Sequence, residues 1–254
     1  MDTVRIMADT TASLPPDLAK KHNIKIVPAA NIIIDGKTYI ENVSISTREA
    51  YDLIRKDPDK FVTSAITPGL LLDAFKELSQ ETKNILFITI SSSLSAVYKS
   101  ASTAAEILRD QSPETNIRII DSKSVAGGEG LLALTAARAA ALSMNLDQVA
   151  AAVEKCREQT RCLMILDTLR YIYRTGRMSK MSARIASLFN IRPINKLTEE
   201  GTVEMVDRVR NREDGLRRLT ELVKEMAPAG DLVFMISHGD SPDMAGKLAQ
   251  KMKE

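Results

Sequence analysis

The stretch ITISSSLSAVYKSA, residues 88–101, joins an apolar run to an alanine-rich run through a loop that is rich in serine. The preceding letters extend the apolar run to NILFITI (84–90), which is typical of a buried strand, and the apolar spacing of residues 96–110 is typical of a helix. In α/β proteins such a loop lies at the carboxyl edge of a parallel sheet. Four hydroxyl side chains are therefore predicted at such an edge: Ser91, Ser92, Ser93 and Ser95.

The same strand-to-helix pattern recurs through the first part of the chain. Its apolar runs are VRIMAD (4–9), IKIVPA (24–29) with NIII (31–34), NILFITI and IRIID (117–121). Because these runs are almost continuously apolar, they favour a parallel sheet covered by helices on both faces. We predict an N-terminal three-layer α/β/α Rossmann-like domain over residues 1–159, ending in two helices that bridge the lobes. Asp35-Gly36 inside IIIDGKTYI predicts a hairpin that interrupts the alternation.

The remainder of the chain predicts a second domain, over residues 160–254, with a two-layer α/β architecture and a mixed sheet. Its predicted strands are CLMILDTL (162–169), IRPINKL (191–197), TVEMVDRV (202–209) and LVFMISHGD (232–240). Its predicted helices are SARIASLFN (182–190), EDGLRRLTELVKEM (213–226) and DMAGKLAQKMKE (243–254).

Composition excludes several classes of function. The chain has 254 residues, of which 44% are apolar, and its net formal charge of +2 gives no field that would attract nucleic acid. No apolar run approaches the length of a membrane span, and the N-terminus lacks a signal-peptide pattern. Cys156 and Cys162 lack CxxC spacing, and His22 and His238 are far apart. Neither a disulfide framework nor a zinc site is predicted, and a reducing cytoplasm is expected.

Two more groups of hydroxyl side chains accompany the serine loop. Thr63, Ser64 and Thr67 precede Pro68, and ADTTAS (8–13) follows the first predicted strand. Hydroxyls beside the first turn of a helix can hold an oxyanion, because that turn has unpaired N–H groups and a partial positive charge. The alternative is helix capping, which needs only one hydroxyl for each helix. The three groups are expected to converge on one crevice.

The motifs that are absent limit the chemistry of this crevice. No GxxxxGK[ST] and no GxSxG surrounds the serines, so neither a Walker phosphate loop nor a hydrolase nucleophile elbow is predicted. GEGLLA (128–133) matches GxGxxA but lacks the spacing of a dinucleotide fold.

Arginines are the second chemical signal. Arg170, Arg174 and Arg177 precede a turn that contains glycine and serine, and a guanidinium there can pair with a carboxylate or a phosphate. The alternative is a solvated face, to which Arg177 fits least because Gly176 and Ser179 flank it.

The motifs together resemble the DegV family of bacterial fatty-acid-binding proteins, and the resemblance extends over nearly the whole chain. It is carried by ADTTAS, TSAITPG, ISSSLSAVYKSA, DSKSVAGGEGLLALTAAR, DTLRYIYRTGRMS and LFNIRPI, in this order. The resemblance implies a two-domain α/β fold with one long-chain fatty acid in a tunnel between the domains. It also implies that the protein presents the carboxylate to a separate fatty acid kinase for acyl phosphate formation. The chain would then be a carrier without catalysis, cofactor, metal or stable membrane insertion.

The resemblance also assigns a set of residues to the fatty acid carboxylate: Thr63, Ser64, Ser92, Ser93, Ser95 and Arg177. Two departures accompany this assignment. Ser93 and Ala96 stand where the family commonly has glycine. The family's final His-Gly-Pro-Gly motif has no counterpart, and His238 does not match it. Either the sequence is a piece of a longer chain or this member completes its site differently.

Two other functions remain open at this point. Strand ends with hydroxyls and arginines also suit an enzyme that acts on a small phosphorylated or carboxylated substrate. An interaction module is the third alternative, with a basic face formed by Arg208, Arg210, Arg212, Arg217 and Arg218.

Overall fold

The computed structural model describes residues 3–168, 171–172, 177, 191–227 and 230–253. The chain divides into two compact units, Met1–Thr160 and Arg161–Glu254. None of the helices in the described ranges is long and apolar enough to cross a membrane.

The first unit contains most of the described secondary structure. Its strands are β1 (Val4–Asp9), β2 (Ile24–Val27), β3 (Ala30–Ile34), β4 (Lys37–Ile40), β5 (Val62–Ala65), β6 (Asn84–Thr89) and β7 (Asn116–Asp121). Its helices are α1 (Pro16–Lys21), α2 (Thr47–Lys56), α3 (Pro68–Ser79), α4 (Val97–Gln111), α5 (Gly127–Ala141) and α6 (Leu146–Gln159), and a 3-10 turn (Thr10–Ala12) follows β1.

A parallel sheet of four strands, in the order β2-β1-β6-β7, forms the centre of the first unit. In β6 the side chains from Ile85 to Ile88 are fully buried, because both faces of the sheet are covered. Leu86 and Ile88 pack in one core with α5 and α6. Ile85 and Phe87 pack in the other core with α3 and α4. The predicted α/β class, with a parallel sheet covered on both faces, is confirmed.

A second, antiparallel sheet in the same unit has the order β4-β3-β5. The predicted hairpin joins β3 to β4, and Asp35 and Gly36 both have positive φ, of 48° and 75°. Two positive φ values are the requirement of a type I′ turn, which Asp-Gly satisfies. The sequence did not predict β5. Its four residues alternate in exposure, and in the sequence they resemble a loop that leads into α3.

The second unit contains β8 (Leu163–Ile165), β9 (Arg192–Leu197), β10 (Val203–Val209), α7 (Arg212–Met226) and α8 (Pro242–Lys251). Its described strands pair in the order β10-β9-β8 and are antiparallel throughout, where a mixed sheet was predicted. The short connection of residues 198–202 accounts for the β9–β10 pair, because a connection of that length returns the chain antiparallel. Ile194 is fully buried and packs against Leu219 and Leu222 of α7.

The predicted strand at 232–240 was wrong. Residues 231–238 have no secondary structure, and the exposed fractions of Leu232, Val233 and Phe234 are 42%, 69% and 45%. An apolar run becomes a strand only where a neighbouring backbone pairs with it, and the sequence pattern does not show that partner. The predicted helix at 182–190 lies outside the described residues.

Candidate functional site

Two of the three sets of hydroxyl side chains lie at one edge of the parallel sheet, where its strands have their carboxyl ends. Residues 10–13 follow β1 and residues 90–95 follow the neighbouring β6. The third group belongs to the antiparallel sheet, but Ile66 after β5 donates its N–H to the carbonyl of Ala29 after β2, at 3.3 Å. Ile66, Ala29 and Ile90 are buried in one apolar cluster. Thr10 accepts the N–H of Ala29 with its Oγ1 at 3.0 Å, so all three sets adjoin a common core at this edge.

The backbone N–H groups of the serine loop are already engaged within the protein. Each N–H from residue 90 to residue 95 donates to a protein oxygen: Ile90 to Asp9 Oδ2 (2.8 Å), Ser91 to the Ser124 carbonyl (2.9 Å), Ser92 to Asp121 Oδ1 (3.1 Å), Ser93 to Ser91 Oγ (3.2 Å), and Leu94 and Ser95 to the Ser91 carbonyl (2.9 and 3.1 Å). These six amides therefore cannot bind a ligand oxyanion without giving up a protein acceptor, which points to the side-chain hydroxyls of the loop as donors.

Ser92 makes a side-chain contact that the sequence did not reveal. Its hydroxyl donates to Asp121 Oδ2 at 2.5 Å, and Asp121 Oδ1 accepts from the N–H groups of Ser92 and Lys123. A serine hydroxyl has one proton. While it is given to Asp121, that proton is not available to a ligand carboxylate.

Ser93 and Ser95 are the other two serines of the predicted set. Ser93 is exposed, and Ser95 is half-buried with its Oγ accepting from the N–H of Val97 at 3.4 Å. The N-cap residue of α4 is Ala96, which has no side chain that could cap. Capping of α4 therefore uses only the acceptor capacity of the Ser95 hydroxyl. The oxygen that accepts this bond still has its own proton to donate.

Thr63 and Ser64 are successive residues of β5, so their side chains lie on opposite faces of the sheet. Thr63 is opposite Ile32, which is buried in the small core with α2, and Ser64 is opposite Asn31. Asn31 Nδ2 donates weakly to Ser64 Oγ, at 3.4 Å. Thr67 is the N-cap residue of α3, but its side chain makes no capping bond.

A buried acidic pair lies beneath the serine loop. Thr11 Oγ1 is 2.5 Å from Asp9 Oδ1 and 2.6 Å from Glu129 Oε2, and both carboxyl groups are fully buried. Because the hydroxyl of Thr11 has one proton, one of these carboxyls is protonated and donates to it. Asp9 already accepts from the N–H groups of Thr11 and Ile90, whereas Glu129 Oε1 meets no donor among the described residues.

These contacts favour the neutral form at Glu129 over the neutral form at Asp9. Burial raises the pKa of Glu129 well above its ordinary value, and the nearby charge of Asp9 raises it further. Burial also raises the pKa of Asp9, although bonds from Thr11 and Ile90 oppose that rise. The pair links α5, β1 and the start of the serine loop.

The predicted arginines are described only in part. Arg177 is half-buried in the second unit, and its N–H donates to the Ile172 carbonyl at 3.1 Å. Arg170 and Arg174 lie outside the described residues. On the predicted basic face, three arginines are paired with acidic side chains: Arg212 with Asp167, Arg217 with Asp214, and Arg218 with Asp207, Glu221 and Glu225. This pairing reduces the charge available to an acidic partner.

Three acidic residues that order this edge were missed in the sequence. Asp9 and Asp121 each come at the end of an apolar run, and Glu129 is the only acidic residue in GGEGLLALTAAR. A charged side chain inside an otherwise apolar element is a usable signal, because burial of an acid requires a partner.

Comparison with known proteins gives consistent matches. The family described as "Uncharacterised protein, DegV family" matches residues 3–254. A DegV domain-containing protein of Caldanaerobacter subterraneus subsp. tengcongensis is 31% identical over 224 residues, which are 88% of this chain and 78% of the relative.

Solved structures share the fold. A fatty acid binding DegV family protein from Streptococcus agalactiae is 26% identical with a TM-score of 0.86, covering 100% of this chain and 88% of the other. The Streptococcus pneumoniae fatty acid kinase (Fak) B3 protein, solved loaded with linoleic acid, is 23% identical with a TM-score of 0.85, covering 99% and 88% of the two chains.

Proposed function

Because the chain belongs to the DegV family, we propose that it binds a long-chain fatty acid and presents the carboxylate to a separate fatty acid kinase. It acts as a carrier and catalyses no step itself. The observation that carries the proposal is the likeness, over its whole length, to a solved structure described as fatty acid binding. The kinase partner is supported by the name of the pneumococcal structure, which associates that protein with a fatty acid kinase.

The chemistry of the sheet edge is consistent with a carboxylate ligand. A carboxylate taken out of water needs hydrogen-bond donors, and leaving it without them costs several kcal/mol. The amides of residues 90–95 already donate to protein oxygens, so this proposal takes side-chain hydroxyls as the donors. We assign Ser93, which is exposed, and Ser95, which is half-buried, to this role. Arg177 is kept in the proposed set because the resemblance assigns it to the same carboxylate. Ser92 was predicted for the same set, but its hydroxyl donates to Asp121.

The TS pair supplies further hydroxyls in this proposal. Thr63 and Ser64 lie on opposite faces of β5, so a ligand on one face is reached by only one of them. Single replacements, Thr63→Ala and Ser64→Ala, identify which face is the ligand face.

The test is native mass spectrometry of the purified chain, followed by denaturing extraction and identification of the fatty acid. We expect one fatty acid per chain, and in Ser93→Ala/Ser95→Ala a dissociation constant about tenfold or more higher, because two donors to a charged group are lost. The matched control is Ser102→Ala, since the hydroxyl of Ser102 donates to the Tyr98 carbonyl within α4.

The outcome that contradicts the proposal is a chain that carries no fatty acid after incubation with oleic acid. Turnover of a soluble phosphorylated or carboxylated compound by such a chain would instead support the enzyme alternative.

A further inference from the structure

The geometry points to Asp121 as a positioning residue: it holds the β6–α4 loop in the shape from which Ser93 and Ser95 reach the ligand carboxylate. Ser92 acts through Asp121 and does not contact the ligand. This inference rests on the proposed function and gives Asp121 and Ser92 roles within the same site.

The carboxylate of Asp121 accepts three hydrogen bonds. Its Oδ2 accepts the hydroxyl of Ser92 at 2.5 Å, and its Oδ1 accepts the N–H of Ser92 at 3.1 Å and the N–H of Lys123 at 2.9 Å. One carboxylate therefore binds both donors of Ser92 and joins the β6–α4 loop to the β7–α5 loop. Hydrogen bonds donated to a charged acceptor are stronger than hydrogen bonds between neutral groups.

Asp121 is itself held in place by the neighbouring strand and by α6. It is the last residue of β7, opposite Thr89 of β6. Its carbonyl accepts from Arg157 Nη1 of α6 at 3.0 Å. Beside it, Ser122 donates its N–H to the Thr89 carbonyl at 3.1 Å and Ser91 donates its N–H to the Ser124 carbonyl at 2.9 Å. The carboxylate thus stands on a fixed backbone and can fix the loop beside it.

The backbone of the β7–α5 loop has one residue with a positive φ that is bonded to Asp121. Lys123 has a φ of 49°, in the left-handed region that non-glycine residues rarely adopt. The bond from its N–H to Asp121 Oδ1 stabilises this conformation. Without the carboxylate, neither the β6–α4 loop nor the β7–α5 loop would be held in its present conformation.

The experiment compares Asp121→Ala, Asp121→Asn, Asp121→Glu and Ser92→Ala with wild type, in oleic acid affinity and in hydrogen exchange of the lipid-free chain. An asparagine still offers one oxygen to the two N–H groups and an amide donor to Ser92 Oγ. Asp121→Glu keeps the charge but displaces it by one methylene, so it tests position even where the alanine variant fails to fold.

We expect Asp121→Ala to weaken oleic acid binding about tenfold and to speed exchange of the N–H groups of Ser92 and Lys123. Asp121→Glu should weaken binding by a few-fold, and Asp121→Asn should restore most of the affinity lost in the alanine variant. Ser92→Ala should lower affinity only about twofold to threefold, because both N–H bonds to Asp121 Oδ1 remain.

Two outcomes overturn the inference. One is Ser92→Ala losing as much affinity as Asp121→Ala with exchange unchanged, which would show that Ser92 contacts the carboxylate. The other is Asp121→Ala matching wild type in affinity and in exchange. A wild-type chain that binds no oleic acid refutes the proposed function instead, and the exchange of the loop amides then decides separately whether Asp121 orders the loop.

Discussion

The first unit buries its acidic residues Asp9 and Glu129, whereas the second unit keeps Asp167 and Asp207 near its surface. The buried pair shares the hydroxyl of Thr11, and burial raises the pKa of both carboxyls. The surface acids bind arginines instead: a bond from Arg212 lowers the pKa of Asp167, and a bond from Arg218 lowers the pKa of Asp207.

This difference indicates which replacements should lower the stability of each unit. A buried acid that satisfies backbone donors cannot be removed without leaving those donors unpaired. An exposed ion pair contributes little, because water screens it and the side chains lose freedom when they pair. We therefore expect the first unit to depend on its acids and the second unit on the packing of its small core.

The largest effect is expected for Asp9→Ala. The N–H groups of Ile90 and Thr11 would lose their acceptor in a buried site, so the free energy of unfolding should fall by about 3 kcal/mol. Urea unfolding followed by circular dichroism measures this loss. The matched control is Asp167→Ala, for which the loss should be at most about 1 kcal/mol. Equal losses in the two variants would remove the distinction between the units.

An intermediate effect is expected for Gly215→Ala in α7. A Cβ at this position would clash with Ile165 Cδ1 and lie 3.3 Å from Val209 Cγ2. The strain should exceed the helix-forming advantage of alanine and lower the stability by about 1 kcal/mol.

Gly246→Ala in α8 is the control for this replacement. A Cβ at this position would have no atom of the described residues within 4 Å, so alanine should raise the stability by about 0.5–1 kcal/mol. A stabilising Gly215→Ala, measured by thermal melting, would show that the second core has room that the structure does not show.

The smallest effect concerns pH and has opposite signs in the two units. Because the folded-state pKa of Glu129 is raised, its contribution is complete below the ordinary pKa of glutamate and is lost as pH rises through the folded value. Glu129→Gln, which cannot ionise, should therefore gain stability relative to wild type as pH rises from about 5 to about 8.

Asp167→Asn should behave in the opposite way. The folded-state pKa of Asp167 is lowered, so its contribution is present above the ordinary pKa of aspartate and is lost as pH falls. This variant should lose stability relative to wild type as pH rises from about 3 to about 6. Melting temperatures across both pH ranges measure the two trends, and a shared sign would contradict the assignment of a neutral Glu129.

Much of the fold followed from local sequence patterns. The boundaries of β1 agree with the predicted run VRIMAD (4–9), and Asn145 and Gln148, which have the spacing of a capping box, form one at the start of α6. These features depend on a few adjacent residues. Strand β5 and the run at 232–240 were misjudged because pairing in a sheet depends on distant segments.

The candidate site was predicted less completely for the same reason. Hydroxyl clusters are visible in the sequence, and their place at strand ends follows from the α/β pattern. Their bonding is not visible, since Ser92 contacts Asp121 across 29 positions and Thr11 contacts Glu129 across 118. No local pattern shows which hydroxyl is engaged with an acid and which faces a ligand.

The order of the parallel strands also has a consequence for synthesis of the chain. Strand β1 pairs with β2 on one side and with β6 on the other, where Val4 lies opposite Asn84. At translation rates of about 5–20 residues per second, the 80 positions between these two partners take about 4–16 seconds to make. Through that interval one edge of β1 lacks its partner. Emergence of β6 from the ribosome is therefore the event that pairs the second edge of β1, so a pause in translation before residue 84 should favour aggregation more than a pause after residue 121.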